Sequence, residues 1–232
     1  MTKLKPKCST CQIKNMSLLG SCCNEVLEEI SENKVSMVFQ KGERLLTEGE
    51  EARGIYCIRS GVAKTEVQKN GKSLILRLEG KGAVIGQRVT VKKDKEPITI
   101  TAIEDMQVCH LSAEKFHSIY SKCHGLQTEV MKSLLAEMQT IEKRVLSLVY
   151  NTVKERVAGV LLHIAGIYHY KQGSCSIHVH LDRQDIADLA GTTKEQVSVA
   201  LSELRQEKLV NFKAKHFKFF DLDGLKKVAE AN

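Results

Sequence analysis

Residues 183–210 read RQDIADLAGTTKEQVSVALSELRQEKLV and contain two helix-length runs on either side of a glycine. In the first run Ile186, Leu189 and Ala190 fall on one helical face. The second run repeats this apolar spacing at Val197, Ala200, Leu201 and Leu204. Two short helices joined by a tight turn that contains glycine predict a helix–turn–helix. Such a pair either binds DNA or only closes a small domain, and the rest of the chain has to decide between them.

The start of the second helix is also indicated by the sequence. Thr192 is followed three residues later by Glu195, which is the spacing of a capping box. In that motif the threonine hydroxyl accepts a hydrogen bond from a backbone N–H of the first helical turn. We therefore expect the second helix to begin with Thr192 as its N-cap.

The composition of the whole chain is that of an ordinary globular protein with an excess of positive charge. The 232 residues carry a net charge of +7, which suits an acidic partner such as nucleic acid. From Asn151 onward the excess is only +2, so charge gives the helix–turn–helix weak support. The start, MTKLKPKCSTC, lacks the apolar stretch of a signal peptide. We therefore expect a cytoplasmic protein without a membrane partner, whose cysteines are reduced thiols.

Glycines punctuate the chain between Val35 and Leu111 and separate short β-branched or alternating runs such as IYCIRSG, SLILRL and ITITAI. Strands that end in a turn about every 8 to 12 residues predict a small barrel or roll. Asn70-Gly71 between two such runs is a strong hairpin signal.

A different periodicity occupies residues 126–150, where glycine is absent. Apolar residues alternate at spacings of three and four, the a/d pattern of a coiled coil. The predicted dimer seam consists of Met131, Leu134, Met138, Ile141, Val145 and Leu148. The alternative is one face of a helix that packs on its own domain. The polar residues around the stripe favour a homodimer.

Residues 151–232 predict a compact segment of helices and strands that contains the opening helix pair. The run LVNFKAKHFKFFDL alternates apolar and basic residues and predicts a two-stranded wing with Lys213, Lys215 and Lys218 facing outward. The expected domains are therefore a β-roll sensor with an N-terminal cysteine-bearing segment (1–125), a dimerisation helix (126–150) and a winged helix–turn–helix (151–232).

The order of these segments resembles the cyclic-AMP receptor protein/FNR family of bacterial transcription regulators. The stretches that carry the resemblance are KGERLLTEGEEARGIYCIRSG, GKGAVIG, VKERVAGVLLHIA and LDRQDIADLAGTTKEQVS. It implies an α+β fold with a cyclic-nucleotide-binding-like β-roll (jelly roll), a long dimerisation helix and a C-terminal winged helix–turn–helix. It also implies a homodimer that binds a palindromic operator in double-stranded DNA, with RNA polymerase as a further partner.

In this family the second helix of the pair enters the major groove with its N-terminal residues at base edges; the family supplies a standard example of this docking. The residues implied in DNA binding are Thr192, Thr193, Lys194, Glu195, Ser198 and Val199, with Lys213 and Lys215 in the wing. Family members commonly carry Arg where this chain has Val199. The guanine contact of that Arg is therefore not expected here, and the operator is expected to differ.

The effector pocket departs from the family pattern. Cyclic-AMP-binding members have a Gly-Glu-Leu stretch and, about ten residues later, an Arg-Ser pair that contacts the cyclic phosphate. The corresponding pocket residues here are Gly86, Gln87, Arg88, Pro97 and Ile98, so Gln87 replaces the Glu and Pro97-Ile98 replace the Arg-Ser. This argues against cyclic AMP in the usual mode.

The cysteines suggest a different cofactor, because FNR-type sensors bind an iron–sulfur cluster. Cys8, Cys11 and Cys109 match three of the ligand positions, but Ser17 occupies the position of the third N-terminal cysteine. A cubane cluster takes four thiolates, and the sequence indicates no fourth ligand. Other interpretations remain open: a redox pair, a structural role for the cysteines, haem bound by His110, His117 or His124, an unknown small molecule, or no effector.

An enzyme is not indicated, since the chain lacks a phosphate-binding loop, a nucleophile elbow and an HExxH motif. The alternative from another class is an effector-binding module that acts on a protein partner without contacting DNA. The wing lysines and the Thr192-Thr193-Lys194 helix start argue against such a module.

Overall fold

The structure, a computed structural model, describes residues 7–92 and 94–230, with the side chain of Lys72 left out. The chain forms two compact units. The first comprises the residues up to Thr65 together with Glu79–Gln139, and the second comprises Glu66–Leu78 together with the residues from Thr140 onward. Within the described part of the chain, no helix is both long enough and apolar enough to cross a lipid bilayer.

The N-terminal half is a β-roll built from two four-stranded antiparallel sheets with the strand orders β1-β8-β3-β6 and β2-β7-β4-β5. The strands are β1 (Val35–Phe39), β2 (Arg44–Leu46), β3 (Gly54–Ser60), β4 (Ala63–Lys69), β5 (Lys72–Glu79), β6 (Val84–Ile85), β7 (Thr99–Ala102) and β8 (Met106–Ser112). The helices of this half are α1 (Asn24–Asn33), α2 (Gln87–Lys92) and α3 (Ala113–Tyr120), preceded by a short 3-10 helix at Lys14–Met16.

Strand β3 separates two clusters of buried side chains. Tyr56 and Ile58 contribute to the core inside the roll, which also includes Leu46, Ile100 and Val108 from other strands. Ile55 faces the opposite side and packs with the N-terminal segment and helices α1 and α3. Because side chains alternate across a strand, this one strand supports both clusters.

The predicted hairpin turn is confirmed at Asn70-Gly71, which joins β4 to β5. Both residues have positive φ angles, 53° and 73°. A two-residue hairpin loop of type I′ requires this backbone conformation, and asparagine and glycine adopt it most readily.

Helix α4 (His124–Tyr150) begins in the β-roll unit and ends in the second unit. Its first turns are buried at Leu126 and Val130, whereas its later apolar side chains are exposed. The exposed apolar side chains are Met131, Leu135, Met138, Ile141, Val145, Leu146, Leu148, Val149 and Tyr150. Leu134 differs from the rest of the predicted seam, because it packs against the buried cluster of the roll. Leu135 is exposed one residue further along.

The second unit contains four more helices and a small sheet. The helices are α5 (Val153–Ile167), α6 (Arg183–Ala190), α7 (Lys194–Gln206) and α8 (Leu222–Ala229). Strands β9 (Ile177–His178), β10 (Val210–Lys213) and β11 (His216–Phe219) form an antiparallel sheet in the order β10-β11-β9. The wing predicted as two-stranded is thus completed by a third, very short strand. The predicted succession of β-roll, long helix and winged helix–turn–helix is confirmed.

Candidate functional site

The turn between α6 and α7 depends on Gly191, which ends α6 in the left-handed conformation with φ 62° and ψ 47°. A Cβ at this position would lie 2.5 Å from Cδ2 of Leu148 on α4. Glycine is therefore required for the backbone conformation, and a Cβ here would also displace the end of the Leu148 side chain. Leu148, predicted in the dimer seam, contacts the helix–turn–helix in this way.

The predicted N-cap of α7 was wrong by one residue. The cap is Thr193, whose hydroxyl accepts from the backbone N–H of Gln196, and the helix begins at Lys194. The backbone N–H of Thr192 instead donates to the carbonyl of Ala187 at 3.0 Å, so Thr192 still closes α6. Its hydroxyl donates to the Gln196 side chain. Thr193 has the extended backbone that an N-cap requires, with φ −101° and ψ 158°.

The first turn of α7 presents its polar side chains to solvent. Thr193, Lys194, Glu195, Ser198 and Val199 are exposed, and Val199 retains 60% of its accessible surface. Val197 and Ala200 between them are buried, so the helix has one packed face and one free face. Such a helix can enter a groove of DNA without unfolding any part of its own domain.

Glu195 and Ser198 have local partners in the free protein. Hydrogen bonds from the Glu195 backbone N–H and the Thr193 hydroxyl lower the pKa of the Glu195 carboxyl. The Ser198 hydroxyl donates to the carbonyl of Lys194 at 2.9 Å. Glu195 therefore stays ionised and stabilises the helix start, and it remains available to accept from a cytosine amino group.

The wing is a tight hairpin whose register pairs Lys213 with His216 and Asn211 with Lys218. Ala214 and Lys215 form the turn, and Ala214 has a positive φ of 52°. Lys213 and Lys218 are exposed and Lys215 is half-buried. The alternate residues Phe217 and Phe219 are buried, which leaves Lys213 and Lys218 on the solvent face as predicted, whereas Lys215 lies in the turn.

Two arginines that were not singled out from the sequence bind the C-terminal end of α6. Arg144 on α4 donates to the carbonyls of Leu189 at 2.9 Å, Asp188 at 3.3 Å and Leu76 at 2.7 Å. Arg156 on α5 donates from Nε to the carbonyl of Ala190 at 2.9 Å. Cations at helix carbonyls satisfy groups that have no partner within the helix. Identifying them requires the tertiary structure, because the acceptors are backbone atoms far along the chain.

The predicted effector residues occupy different environments in the roll. Gln87 is buried, and its Nε2 donates to Glu137 Oε1 at 3.0 Å and approaches Ser133 Oγ at 3.5 Å, both on α4. Arg88 and Pro97 are exposed. Gly86 begins the turn into α2 with a φ of 87°, and Ile98 packs on the core of the roll.

Glu96, which precedes the pair expected to replace the family's Arg-Ser, was not singled out from the sequence. Only 2% of its surface is exposed, and its Oε1 has no hydrogen-bond partner. Burial raises the pKa of its carboxyl to about 7, and the positive charge of Arg88 opposes the shift.

The three cysteines predicted as metal ligands line one cavity in the first unit, together with a fourth cysteine that was not predicted, Cys57. Cys57 and Cys109 are directly paired across strands β3 and β8. The pairing register brings them together, so no signal in a single strand could have revealed Cys57. All the cysteines in the described residues are free thiols.

Among the histidines considered for haem, His110 has structural partners. Its Nε2 lies 3.3 Å from the carbonyl of Arg53, and its ring lies 4.5 Å from that of Tyr56. Burial lowers its pKa. These contacts account for His110 without a ligand, whereas nothing in the geometry of His117 or His124 favours haem.

Comparison with known proteins agrees with the fold. The chain matches the family models for the cyclic nucleotide-binding domain over residues 36–123 and for the Crp-like helix-turn-helix domain over residues 155–228. The fumarate and nitrate reduction regulatory protein of Vibrio cholerae is 25% identical over 231 residues, which cover 95% of this chain and 91% of that protein. The transcriptional activator protein FnrL of Cereibacter sphaeroides is 23% identical, with 90% of this chain and 86% of that protein covered.

A solved structure supports the same fold. FixK2 from Bradyrhizobium japonicum superposes with a TM-score of 0.76 at 22% identity, covering 84% of this chain and 96% of that one. The matches include both the roll and the helix–turn–helix, in the order in which they occur here. The chain therefore belongs to the Crp/FNR family of DNA-binding transcription regulators, and not to a family of enzymes.

Proposed function

We propose that this regulator acts in the cytoplasm as a homodimer that binds a two-fold symmetric operator. The N-terminal turn of α7 contacts base edges in the major groove, and the wing lysines contact phosphates. The observation that carries the proposal is the exposed polar start of α7, set on a helix whose other face is fully packed. That arrangement is what a recognition helix needs.

The dimer is supported by the apolar stripe on α4. Met131, Met138, Ile141 and Val145 each retain about half of their accessible surface. Burying the exposed half of one such side chain contributes about 1 kcal/mol, so the stripes of two chains together can offset the cost of association. The proposed seam includes Leu135 in place of Leu134, because Leu134 packs against the buried cluster of the roll and Leu135 is exposed.

A two-fold axis along the seam implies that the operator is palindromic, with half-sites about 34 Å apart, one turn of DNA. Each segment has the role expected from the sequence. Residues 1–125 form the sensor, residues 126–150 form the dimerisation helix, and residues 151–232 bind DNA. RNA polymerase is the partner through which such a regulator acts on transcription.

The effector is not cyclic AMP in its usual mode. Gln87 replaces the Glu of the cyclic-AMP-binding members, and Pro97-Ile98 replace the Arg-Ser pair that contacts the cyclic phosphate there. The hydrogen bond from Gln87 to Glu137 supplies a route by which a change in the roll reaches α4. A shift of α4 would then alter the packing of the seam.

Binding to a random-sequence DNA duplex as a function of salt tests DNA binding directly. For a protein that neutralises six to ten phosphates, affinity is expected to fall by about 10³-fold or more between 50 and 200 mM salt. Lys213→Ala and Lys215→Ala should each reduce the salt slope by about 1, because each removes one phosphate contact.

Lys122→Ala is the matched control, since it removes the same charge from an exposed position in the first unit. It should leave the slope unchanged. A flat salt response of the wild-type protein would contradict DNA binding and favour a module that acts on a protein partner. A monomer in light scattering at micromolar concentration would contradict the dimer.

A further inference from the structure

The sheet of the wing carries histidines as well as lysines. His178 lies on β9 and His216 on β11, and the register of the sheet places them directly opposite each other. Lys213 on β10 is paired with His216 in the same way. Side chains that are directly opposite each other in an antiparallel sheet point to the same face. Lys213, His216 and His178 therefore form one row across the three strands, which we name the basic row.

The basic row lies on the solvent face of this sheet. Its three side chains are exposed, whereas Phe217, the next residue after His216, is buried on the other face. The groove beside the row is lined by Ser176, Asn211, Phe212, Lys213, His216 and Lys218. Among these lining residues, all in the described part of the chain, none carries a carboxylate. The charge of this surface therefore suits an anion.

Backbone hydrogen bonds hold β9 and its histidines against the wing. The N–H of Val179 donates to the carbonyl of Lys215 at 2.8 Å, and the N–H of His180 donates to Tyr168 Oη at 3.4 Å. The Val179 side chain is buried. Because side chains alternate along an extended chain, His178 and His180 both point away from the core that Val179 enters. Strand β9 thus adds titratable side chains to a wing whose other polar side chains are mainly lysines.

The two histidines of the row contact each other through their ring nitrogens. Nδ1 of His178 lies 3.2 Å from Nε2 of His216, and the ring centroids are 4.7 Å apart. One nitrogen donates and the other accepts. One added proton keeps this hydrogen bond and makes it charge-assisted, because an imidazolium still donates to the neutral ring. A second proton removes the acceptor and places two like charges in contact, so the pair is suited to take up one proton.

Further cationic and titratable side chains lie around the pair. Lys213 faces His216 from β10, Lys215 occupies the adjacent turn and Lys218 lies two residues along β11. The ring of His180 is 4.5 Å from that of His178, between centroids. Like charges directly opposite each other destabilise a sheet. An anion held against the row offsets that repulsion, so anion binding and proton uptake favour each other.

We propose that the basic row binds a phosphate of the DNA backbone and that the His178–His216 pair takes up one proton when DNA binds. This inference rests on the proposed function, in which Lys213 already contacts DNA. The lysine ammonium and the protonated ring donate charge-assisted hydrogen bonds to phosphate oxygens. Histidine side chains change charge between about pH 5 and 8. The affinity for DNA therefore rises as the pH falls through this range.

The test is the affinity of the full chain for a random-sequence duplex, measured by fluorescence anisotropy at fixed salt between about pH 6 and 8. For each proton taken up, Kd should fall by up to about tenfold per pH unit. Calorimetry in buffers of different ionisation enthalpy counts these protons, and we expect about one per chain. The salt dependence should also be steeper at the lower pH, because each further phosphate contact adds about 1 to the slope.

Three variants separate protonation of the pair from other effects of pH. His216→Gln and His178→Gln should each lose most of the pH dependence, because glutamine is polar but does not take up a proton. His216→Lys fixes a positive charge in the row, so it should bind at about pH 8 as tightly as the wild type at about pH 6. His124→Gln is the matched control, since it removes an exposed histidine from the first unit, and it should keep the pH dependence. Circular dichroism checks that each variant folds.

The failure of this inference differs from the failure of the proposed function. A wild-type affinity that falls with salt but does not change with pH would overturn the phosphate site and leave the proposed function intact. Folded His216→Gln and His178→Gln proteins with the pH dependence of the wild type would overturn it as well. Absence of duplex binding at every pH would instead contradict the proposed function, and the phosphate site with it.

Discussion

The helix–turn–helix and the β-roll differ in how completely their polar groups are satisfied. Helices α5, α6, α7 and α8 all start with a side-chain cap, from Thr152, Asp182, Thr193 and Asp221. In the roll, Gln87 Oε1, Thr90 Oγ1 and Glu96 Oε1 are buried without a hydrogen-bond partner. Unsatisfied buried groups cost stability, and native structures retain few of them. The helix starts of the DNA-binding region are therefore satisfied, although Nε of Arg144 beside α6 is also buried without a partner, whereas three such groups lie close together in sequence at the predicted effector residues of the roll.

The largest expected effect is a loss of stability caused by a substitution in the turn between α6 and α7. Gly191→Ala should destabilise the second unit by about 2 to 5 kcal/mol, because the left-handed backbone costs about 1 to 2 kcal/mol and the clash with Leu148 adds about 1 to 3 kcal/mol. Urea unfolding followed by circular dichroism measures it.

Gly173→Ala is the control for Gly191→Ala. Gly173 also has a positive φ, 86°, but a Cβ there would meet nothing within 4 Å. Only the backbone cost of about 1 to 2 kcal/mol should remain. Equal losses for the two variants would show that the contact with Leu148 contributes nothing.

The next largest effect concerns the protonation of Glu96 in the roll. The folded protein binds the Glu96 proton with a pKa of about 7 against an ordinary value of 4.5. Since the folded state then binds more protons than the unfolded chain, stability decreases as pH rises through this window. Glu96→Gln should therefore stabilise the protein by about 1 to 3 kcal/mol at pH 8 and have little effect near pH 4. Thermal unfolding across this pH range measures it.

Glu48→Gln is the control for the pH effect, since Glu48 is an exposed carboxyl of the same unit. It should not change the pH dependence. A Glu96→Gln protein that is less stable than the wild type at pH 8 would mean that the ionised carboxyl has a partner that offsets its burial.

The smallest expected effect concerns the start of α7. Thr193→Ala should cost about 1 kcal/mol through loss of the N-cap, and Thr193→Ser should restore most of it. Thr192→Ala should cost less, because its exposed hydrogen bond to Gln196 contributes little. Hydrogen exchange at the first amides of α7 measures the difference, and a larger loss for Thr192→Ala would reverse the assignment of the cap.

Local signals in the sequence were enough to predict the helix–turn–helix, the hairpin at Asn70-Gly71 and the long helix. These features depend on capping residues, glycine and periodicity within a few turns of chain. Even there, the cap moved from Thr192 to Thr193, because the sequence does not show that Thr192 closes the previous helix.

Features that depend on pairing over long distances could not be predicted. Cys57 and Cys109 meet through strand register, and Arg144 reaches backbone carbonyls of two distant segments. Leu134 was assigned to the seam because periodicity alone does not distinguish a dimer face from a face packed on the roll. In each case the residues that meet in the structure are far apart in the sequence.

Selection of bound sequences from a pool of random DNA duplexes tests the central claim most directly, that α7 contacts base edges in a symmetric dimer. The wild type should enrich a palindrome with half-sites about one helical turn apart, and Lys194→Ala with Glu195→Ala should lose the base preference within each half-site. Enrichment of no sequence, of a single asymmetric site, or of the same palindrome by wild type and variant would contradict it.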